Sequence, residues 1–337
     1  MPVDALLAEK QQNTVVLVDE AAAIPTPQLQ QLTDLYSRLV FATTEHGYEG
    51  TGRGFQLRFQ SYLQQHCPGF QKLHLHQPIR YQANDPLEQL IFKGFLLEQT
   101  DSVITAPLQP KVFSYPIKDL LLQPQKLQQI FSLLSLAHYQ TDVMDLWALL
   151  DNPALKLYTL EQDQQVFACA LISFEGELDT ELARAVAHGK RRVQGHLLAQ
   201  SLAFHCLQPE LATQKMARIQ RIVVHPFVQM QGLGSQLLSF VLQDLSEQQY
   251  RIGTSFGATL ALAKFWQKAG FYPVKLSHQH EQASNEASVL MLYGEQFQYL
   301  QQQFSRQLYW QLADKQRFLD PALALLWAEP PAITLTP

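Results

Sequence analysis

The chain has 337 residues, of which 47% are hydrophobic, so it is long and apolar enough for two ordinary domains with buried cores. Its net charge of −5 at pH 7 gives no overall attraction to nucleic acid, so any RNA contact must come from a local basic patch. Three widely spaced cysteines exclude a disulfide framework. No apolar run reaches the roughly 18 residues of a membrane span, and the amino terminus lacks a signal-peptide pattern. We therefore expect a cytoplasmic protein without a membrane partner.

Alternating strand and helix patterns open the chain. Residues 14–18 form a continuous apolar run, typical of a parallel strand that is buried on both faces. A helix is predicted over 27–37 and a short strand over 38–43, followed by a glycine-rich loop over 47–54. Residues 73–75 are predicted as a further strand. From about residue 86 to 150 the pattern is mostly helical and is interrupted by four prolines.

A second α/β pattern begins near Leu155 and continues to Gly294. Strands are predicted over 166–174, 219–224, 251–256 and 288–293, and helices over 181–188, 197–205, 233–246 and 259–268. A glutamine-rich helical tail is predicted from there to about Glu329. The whole chain is therefore predicted to be α/β.

The strongest motif lies where a predicted strand ends and a predicted helix begins. Arg221-Ile222-Val223-Val224-His225-Pro226 is followed by Gln229-Met230-Gln231-Gly232-Leu233-Gly234-Ser235. The first backbone N–H groups of a helix lack intrahelical partners and the helix dipole is positive there, which suits a pyrophosphate. Glycines let phosphate oxygens approach the backbone without an intervening Cβ atom.

A second segment about thirty residues later makes this motif more specific. Ala263-Lys264-Phe265-Trp266-Gln267-Lys268-Ala269-Gly270-Phe271 predicts an amphipathic helix that ends at a glycine and leads into a strand. Together the two segments resemble the GNAT acetyltransferase superfamily; the alternative is an ordinary α/β domain with glycine-rich turns. The resemblance implies that acetyl-CoA lies between two diverging strands, here those ending at Val224 and Phe256. An amine would then attack the thioester directly, and a backbone N–H near a strand bulge would stabilise the oxyanion.

The first predicted strand ends in two acidic residues, Asp19 and Glu20. In nucleotide hydrolases, an Asp at this position orients magnesium and the following Glu positions water. Because two acids after a strand often only cap the next helix, the pattern is weak by itself.

Five strings in a consistent order give a closer resemblance: VDEAAAIP, GYEGTGRGF, QPIR, LLAQSLA and RIxVHP. With them the chain resembles the bacterial tRNA(Met) cytidine acetyltransferase family. The resemblance implies a partial RecA-like helicase module over 1–100, a helical connector over 101–150, a GNAT domain over 151–294 and a helical tail over 295–337 that forms part of a tRNA-binding region. It also implies acetylation of the exocyclic amine of the wobble cytidine of elongator tRNA(Met), with acetyl-CoA and with ATP or GTP.

The resemblance assigns roles to individual residues. Asp19 is expected to hold the magnesium of ATP, Glu20 to support its hydrolysis, and Arg80 to contact its phosphates. Lys190-Arg191-Arg192 would meet RNA phosphate or form a solvated loop. The expected acetyl-CoA contacts are Ile222, Val223, Val224, Gln229, Met230, Gln231, Gly232, Leu233, Gly234, Ser235 and Lys268.

The chain also departs from the family pattern. It contains no G-x-x-x-x-G-K-[ST] loop, which argues against autonomous ATP hydrolysis. We expect a chain truncated at both ends, or one part of a split protein whose P-loop half is a separate partner chain. Lys156 and Ala261 stand where the family uses a histidine and a glutamate, and Lys268 replaces an arginine, losing its bidentate geometry.

The catalytic proton acceptor has one candidate. His225 lies at the end of the predicted strand, where it could remove a proton as the new bond forms, although a His-Pro pair there also fits a simple turn. Two other functions stay open: a GNAT enzyme that acts on a protein or small-molecule amine, and a catalytically weak fragment that binds RNA or a partner.

Overall fold

The computed structural model describes residues 2–8, 14–44, 46–47, 50–51, 59–77, 79, 82, 85–96, 107, 109–136, 143–280, 286–317 and 319–328. The predicted loop over 47–54 lies mostly outside these residues, as do Pro78 and Arg80 of the segment 77–80. At the start of that loop, His46–Gly47 and Gly50–Thr51 are described, and they pair as two short antiparallel strands. No described helix has the length and hydropathy needed to cross a membrane.

The strands are β1 (Val16–Val18), β2 (Leu39–Phe41), β3 (His46–Gly47), β4 (Gly50–Thr51), β5 (Lys111–Pro116), β6 (Leu155–Gln162), β7 (Gln165–Gly176), β8 (Lys215–Val224), β9 (Arg251–Gly257), β10 (Phe271–His280) and β11 (Ala287–Tyr293). The helices are α1 (Val3–Ala8), α2 (Thr26–Leu35), α3 (Gln60–His66), α4 (Pro86–Gly94), α5 (Ile117–Leu120), α6 (Pro124–Leu136), α7 (Val143–Asp151), α8 (Thr180–Ala187), α9 (Leu197–His205), α10 (Pro209–Ala212), α11 (Leu233–Glu247), α12 (Leu260–Lys268), α13 (Gln298–Gln311) and α14 (Pro321–Trp327). Short 3-10 helices span Ala21–Ala23, Pro226–Val228 and Glu295–Phe297.

Contacts divide the chain into two compact units. The first comprises Met1–Thr105, Leu120–Asn152 and Gln282–Asn285, and the second comprises Ala106–Asp119, Pro153–Glu281 and Glu286–Pro337. The domain boundaries expected from the sequence stay predictions. One feature of the expected helical connector over 101–150 is corrected, because β5 lies inside it and joins the main sheet.

In the first unit, β1 pairs in parallel with β2, in the register Val16↔Leu39 to Val18↔Phe41. Val16 and Val18 are buried in a cluster with Leu29 and Leu32 of α2, whereas Leu17 is 74% exposed. The expectation that this strand is buried on both faces is therefore wrong in this structure. An apolar run indicates a strand, but it does not show whether both faces are covered.

A strand was also expected over 73–75, and the structure contradicts it. Residues 71–76 form neither helix nor strand, and Leu73 and Leu75 are 86% and 93% exposed. Alternating apolar residues form a strand only where a neighbouring strand supplies backbone hydrogen bonds. Within the described part of the chain, no strand pairs with residues 73–75.

The second unit is built on one seven-stranded sheet with the order β10-β11-β9-β8-β7-β6-β5. Its strands pair antiparallel except for β8 and β9, which are parallel. The predicted helices and strands of this unit are confirmed with small shifts at their ends; β8, for example, begins at Lys215 instead of residue 219. The predicted helical tail contains the helices α13 and α14 among its described residues.

Helices cover both faces of this sheet. On one face, α9 packs with Met216 and Leu292 in a buried cluster that includes α8 and α10. On the other face, α11 begins beside Val224, since a Cβ atom on Gly234 would lie 3.2 Å from Val224 Cγ2. The tail packs on the same unit: Gln316 is buried and its side-chain amide donates to the Ser277 carbonyl at 2.8 Å.

Candidate acetyl-CoA site

The site begins where two parallel strands separate. β8 and β9 pair only from Met216↔Arg251 to Ile219↔Thr254, although both strands continue beyond that point. The Thr254 hydroxyl donates to the Ile219 carbonyl at 3.0 Å, at the last paired position. A gap therefore opens between residues 220–224 of β8 and the end of β9, at the strands where the family resemblance implies it.

A bulge lies at the start of this gap. On β7, Leu171 and Ile172 are adjacent, but their partners on β8 are Arg221 and Ile219, which leaves Gln220 as the extra residue. Such an insertion shifts the alternation of side chains between the two faces. Before the bulge Met216 packs with α9, and after it Val224 packs against α11.

Backbone groups of β8 point into the gap. The His225 N–H donates to the Phe167 carbonyl of β7 at 2.8 Å. Because alternate residues of an antiparallel strand direct their N–H and C=O groups to opposite edges, those of Ile222 and Val224 face away from β7. These groups suit pairing with amide groups of an extended ligand, as an added strand would.

The loop after β8 is fixed by one predicted contact residue. The Gln229 side-chain amide donates to the Val224 carbonyl at 3.0 Å, so Gln229 braces the end of the strand. Met230 is fully exposed and Gly232 has a φ of 83°, with nothing within 4 Å of an added Cβ. The loop thus presents backbone and open space in front of α11.

The amino terminus of α11 follows directly. Its N-cap is Gly232, which has no side chain to cap the helix, and the first intrahelical bond runs from Gln236 N–H to the Gly232 carbonyl. The N–H groups of Leu233, Gly234 and Ser235 therefore lack intrahelical acceptors. Free N–H groups, the positive end of a 15-residue helix and an open approach fit the pyrophosphate of a coenzyme.

His225 has a structural role in this loop. It is the N-cap of the 3-10 helix Pro226–Val228, and its Nδ1 accepts from the Phe227 N–H at 3.4 Å. The side chain is half-buried at the strand end. The structure thus brings His225 to the site and gives it the turn geometry that the sequence offered as the alternative.

Lys268 and Ala261 lie on α12, whose Phe265 ring is 3.8 Å from an added Cβ on Gly234. Lys268 is exposed one turn beyond Phe265, and Ala261 is exposed in the first turn. Among the described residues, no hydrogen bond or ion pair joins the Lys268 ammonium to the glycine loop, so its role stays a prediction.

Lys156 belongs to a cluster that sequence reasoning did not predict. Its Nζ lies 3.2 Å from Asp244 Oδ2 of α11 and 4.7 Å from the centre of the Tyr158 ring. The Tyr158 hydroxyl donates to the same carboxylate at 2.5 Å. Burial and the hydrogen bond to Asp244 raise the pKa of Tyr158. Partial burial would raise the pKa of Asp244, but hydrogen bonds from Tyr158 and Lys156 lower it overall.

A buried ion pair on the opposite face was also missed. Glu175 on β7 is buried, and its Oε1 lies 2.6 Å from Arg218 Nε on β8. Its other oxygen accepts the Leu198 N–H in the first turn of α9 at 2.6 Å. The sequence gives no signal for this pairing, because the three residues come from separate elements.

The predicted ATP residues lie in the first unit. Asp19 and Glu20 follow β1 and are exposed, and Asp19 Oδ1 accepts the Glu20 N–H at 3.0 Å. Glu20 has a φ of 51° and precedes the 3-10 helix Ala21–Ala23. Arg80 lies outside the described residues. Within the described part of the chain, no group of three or more His, Cys, Asp or Glu residues could hold a metal.

Comparison with protein families gives two matches. Residues 1–98 match the helicase domain of RNA cytidine acetyltransferase NAT10/TcmA. Residues 129–250 and 240–294 match GNAT acetyltransferase 2. The second match contains the strand gap, the bulge and the glycine loop.

Curated proteins named tRNA(Met) cytidine acetyltransferase TmcA are similar to most of the chain. The protein of Vibrio cholerae is 41% identical over 331 residues, which are 96% of this chain and 46% of that protein. The protein of Nitrosococcus halophilus is 41% identical over 336 residues, which are 96% of this chain and 45% of that protein. The chain thus spans about half the length of these relatives.

Solved structures also resemble part of the chain. A GNAT family acetyltransferase from Elizabethkingia anophelis with acetyl-CoA bound covers 48% of this chain and 88% of its own, with 16% identity and a TM-score of 0.31. Ard1 from Thermoplasma volcanium covers 56% of this chain and all of its own, with 14% identity and a TM-score of 0.36.

Proposed function

The chain belongs to the tRNA(Met) cytidine acetyltransferase family, and from that premise we propose that it transfers an acetyl group from acetyl-CoA to the exocyclic amine of the wobble cytidine of elongator tRNA(Met). The observation that supports this most is the gap between β8 and β9, which ends at the glycine loop in front of α11. Backbone groups for the pantetheine and for the pyrophosphate lie along one continuous path there.

Each part of this path has its own task in the proposal. The N–H and C=O groups of Ile222 and the N–H group of Val224 align the extended part of the coenzyme, and the N–H groups of Leu233, Gly234 and Ser235 hold its pyrophosphate. Gln231, Gly232 and Met230 shape the loop between them. Bound acetyl-CoA would supply the thioester carbonyl; as the amine attacks it, the C–N bond forms, the C–S bond breaks and coenzyme A leaves as the thiolate, which takes up a proton from solvent. We assign the backbone N–H groups beside the bulge at Gln220 to stabilise the negative charge that develops on the carbonyl oxygen.

The proton lost by the attacking amine needs an acceptor near the strand end. We assign this role to His225, which is half-buried beside the gap. Because its Nδ1 accepts the Phe227 N–H, its side chain also holds the turn. Two substitutions separate these roles. His225→Asn keeps an N-cap acceptor but removes the base, whereas His225→Ala removes both.

We predict that both variants lower kcat for cytidine acetylation by about 100-fold, with KM for acetyl-CoA nearly unchanged. The loss follows from removal of a general base. Acetylation is measured by mass spectrometry of nucleosides from purified tRNA. If His225→Asn retains full kcat while His225→Ala does not, the residue only caps the turn.

The activity itself is tested with purified protein, tRNA(Met) and acetyl-CoA, with and without ATP and magnesium. We expect N4-acetylcytidine at the wobble position. Lack of acetyl-CoA binding would overturn the site, and acetyl transfer to a protein or polyamine but not to tRNA would overturn the substrate. Asp19 with magnesium, Glu20 and Arg80 are our candidates for nucleotide binding. Acetylation without ATP would show that these residues are not needed, and restoration by an added P-loop protein would identify a partner chain.

A further inference from the structure

The sequence between Glu181 and Glu210 is unusually basic for an acidic protein. It contains no acidic residue but four cationic ones, Arg184, Lys190, Arg191 and Arg192, in a chain whose net charge is −5. The three consecutive cations lie in the connection between α8 and α9 and are exposed. Within the described residues, Arg191 and Arg192 have no ion-pair partner. Their charge is therefore available to an anion from outside the protein.

A cavity of about 240 Å³ lies beneath this connection. Arg191 and Arg192 line it together with Gln200, Ser201, Phe204 and His205 of α9. This volume is below the roughly 300–1,000 Å³ of sites for drug-sized ligands. The cavity therefore suits one base or one sugar-phosphate unit better than a complete dinucleotide coenzyme.

The connection is held in place at both ends. The Lys190 N–H donates to the Ala185 carbonyl at 2.9 Å, which ties its start to α8. The Val193 N–H donates to Gln200 Oε1 at 2.9 Å, which ties its second half to α9. One backbone–backbone hydrogen bond and one bond from a backbone N–H to a side chain thus position the arginines beside the cavity.

The floor of the cavity carries an aromatic ring. Phe204 is 46% exposed and lies against His205 in an edge-to-face arrangement with centroids 4.8 Å apart. Its ring is 3.1 Å from an added Cβ on Gly189, so the connection crosses its edge and leaves its other surfaces accessible. Burial, with Lys275 and His278 adding to it, lowers the pKa of His205 to about 4. The imidazole is therefore neutral at pH 7 and offers hydrogen bonds without adding charge.

The cavity also lies on the face of the sheet opposite α11, where an acceptor could approach without meeting the coenzyme. α9 contacts the face of β8 and β9 opposite α11, since Leu198 meets an added Cβ on Gly253 at 2.8 Å. The coenzyme path runs along the α11 side of the gap. An acceptor that reaches the thioester without displacing the coenzyme therefore approaches over the α8–α9 side.

We propose that this cavity binds one unpaired nucleotide of the RNA substrate, with its phosphate on Arg191 and Arg192 and its base against Phe204. The proposal rests on the proposed function for its choice of RNA. Single-stranded RNA combines the two features that the cavity offers, a regular anion and a flat base that stacks on an aromatic ring.

The experiment measures binding of a fluorescein-labelled RNA hairpin with the anticodon arm of tRNA(Met) to the 337-residue chain, at several salt concentrations. The double variant Arg191→Ala, Arg192→Ala should reduce the slope of log K against log salt by about 1.4, since each single-strand phosphate contact contributes about 0.7. Phe204→Leu should weaken binding at least about fivefold and leave the slope unchanged, because it removes stacking but no charge.

The matched control is the double variant Lys111→Ala, Lys118→Ala. It removes the same charge from exposed positions on β5 and α5, at the opposite edge of the sheet. We expect it to bind the hairpin as the unchanged chain does. Circular dichroism confirms that each variant is folded. Acetyl-CoA binding is measured separately and should be unchanged, since the coenzyme path lies on the other face.

If the lysine control and the arginine variant lose the same affinity for the RNA hairpin, the proposal is overturned, because net charge alone would then explain binding. Loss of acetyl-CoA binding in a folded arginine variant would also overturn it and assign the cavity to a coenzyme phosphate. Suppose that the unchanged chain does not acetylate tRNA, but the two cavity variants still lose RNA binding as expected. The proposed function is then wrong, and the proposal that the cavity binds RNA is retained. If the unchanged chain acetylates tRNA and the cavity variants bind normally, the cavity proposal fails alone.

Discussion

At the scale of single residues, Gly232 is the position where backbone conformation and ligand access meet. Its φ of 83° lies in the left-handed region, and open space surrounds the position of a Cβ atom. We predict that Gly232→Ala lowers the free energy of unfolding by about 1–2 kcal/mol, the cost of this conformation for an L-residue. It should also weaken acetyl-CoA binding about tenfold, because the methyl group obstructs phosphate contact with the helix. Calorimetric titration measures the binding.

Gly195→Ala is the matched control for this change. Gly195 has a φ of 81°, and an added Cβ there also meets nothing within 4 Å, but it lies outside the glycine loop. It should lose similar stability and keep its affinity for acetyl-CoA. If both variants lose the same affinity, strain and not ligand access explains the effect of Gly232→Ala.

The sequence predicted some residues of the site and not others. Glycine spacing after an apolar strand correctly placed the Gly232 turn and the start of α11, because only a few residue types tolerate that conformation. Gln220 could not be recognised as a bulge, since an extra residue in a strand has no characteristic composition. The Gln229 contact with Val224 was equally hidden, because a glutamine side chain has many possible partners.

At the scale of elements, Asp244 connects α11 to β6 through Lys156 and Tyr158. Because these partners lower the pKa of Asp244 in the folded state, its stabilisation is present above the unfolded pKa of about 3.9 and is lost as the pH falls through the folded value. We predict that Asp244→Asn lowers the free energy of unfolding by about 1 kcal/mol at neutral pH, a value typical of a partly exposed pair. The difference should disappear in acid.

Urea denaturation at several pH values between neutrality and about pH 3 tests this sign. Glu247→Gln is the control, because Glu247 is an exposed acid on the same helix. A difference between Asp244→Asn and the unchanged chain that does not vary with pH would contradict an electrostatic origin and point to packing.

Elements with strong periodicity were predicted well, and short elements were not. The apolar face of α11 repeats at helical spacing through Leu237, Leu238 and Val241, so its position followed from the sequence. β5 was missed because all six of its residues are exposed or half-buried, and its last residue is a proline. Its place at the edge of the sheet explains both features, since an edge strand needs fewer buried side chains and tolerates proline.

At the scale of the whole molecule, the acetyl-CoA path and the acidic pair lie in different units. Ile222 to Ser235 belong to the second unit, and Asp19 and Glu20 belong to the first. We predict that the double variant Asp19→Ala, Glu20→Ala binds acetyl-CoA with unchanged affinity, because both side chains are exposed and belong to a different compact unit from the glycine loop. Calorimetric titration checks this, with Gly232→Ala as the positive control. If the double variant loses more than about threefold in acetyl-CoA affinity, the acidic pair and the acetyl-CoA path are not independent.

The position of β5 has a consequence for how the chain is made. β5 leaves the ribosome before α6 and α7 of the first unit, but its partner β6 follows them. At a synthesis rate of about 5–20 residues per second, β5 therefore remains without its partner strand for several seconds. The two units therefore cannot fold strictly one after the other. Helices α6 and α7 of the first unit are synthesised while β5 of the second unit still lacks its partner strand. Lys111 at its start and the proline at its end are features that hinder an unpaired strand from pairing with another chain.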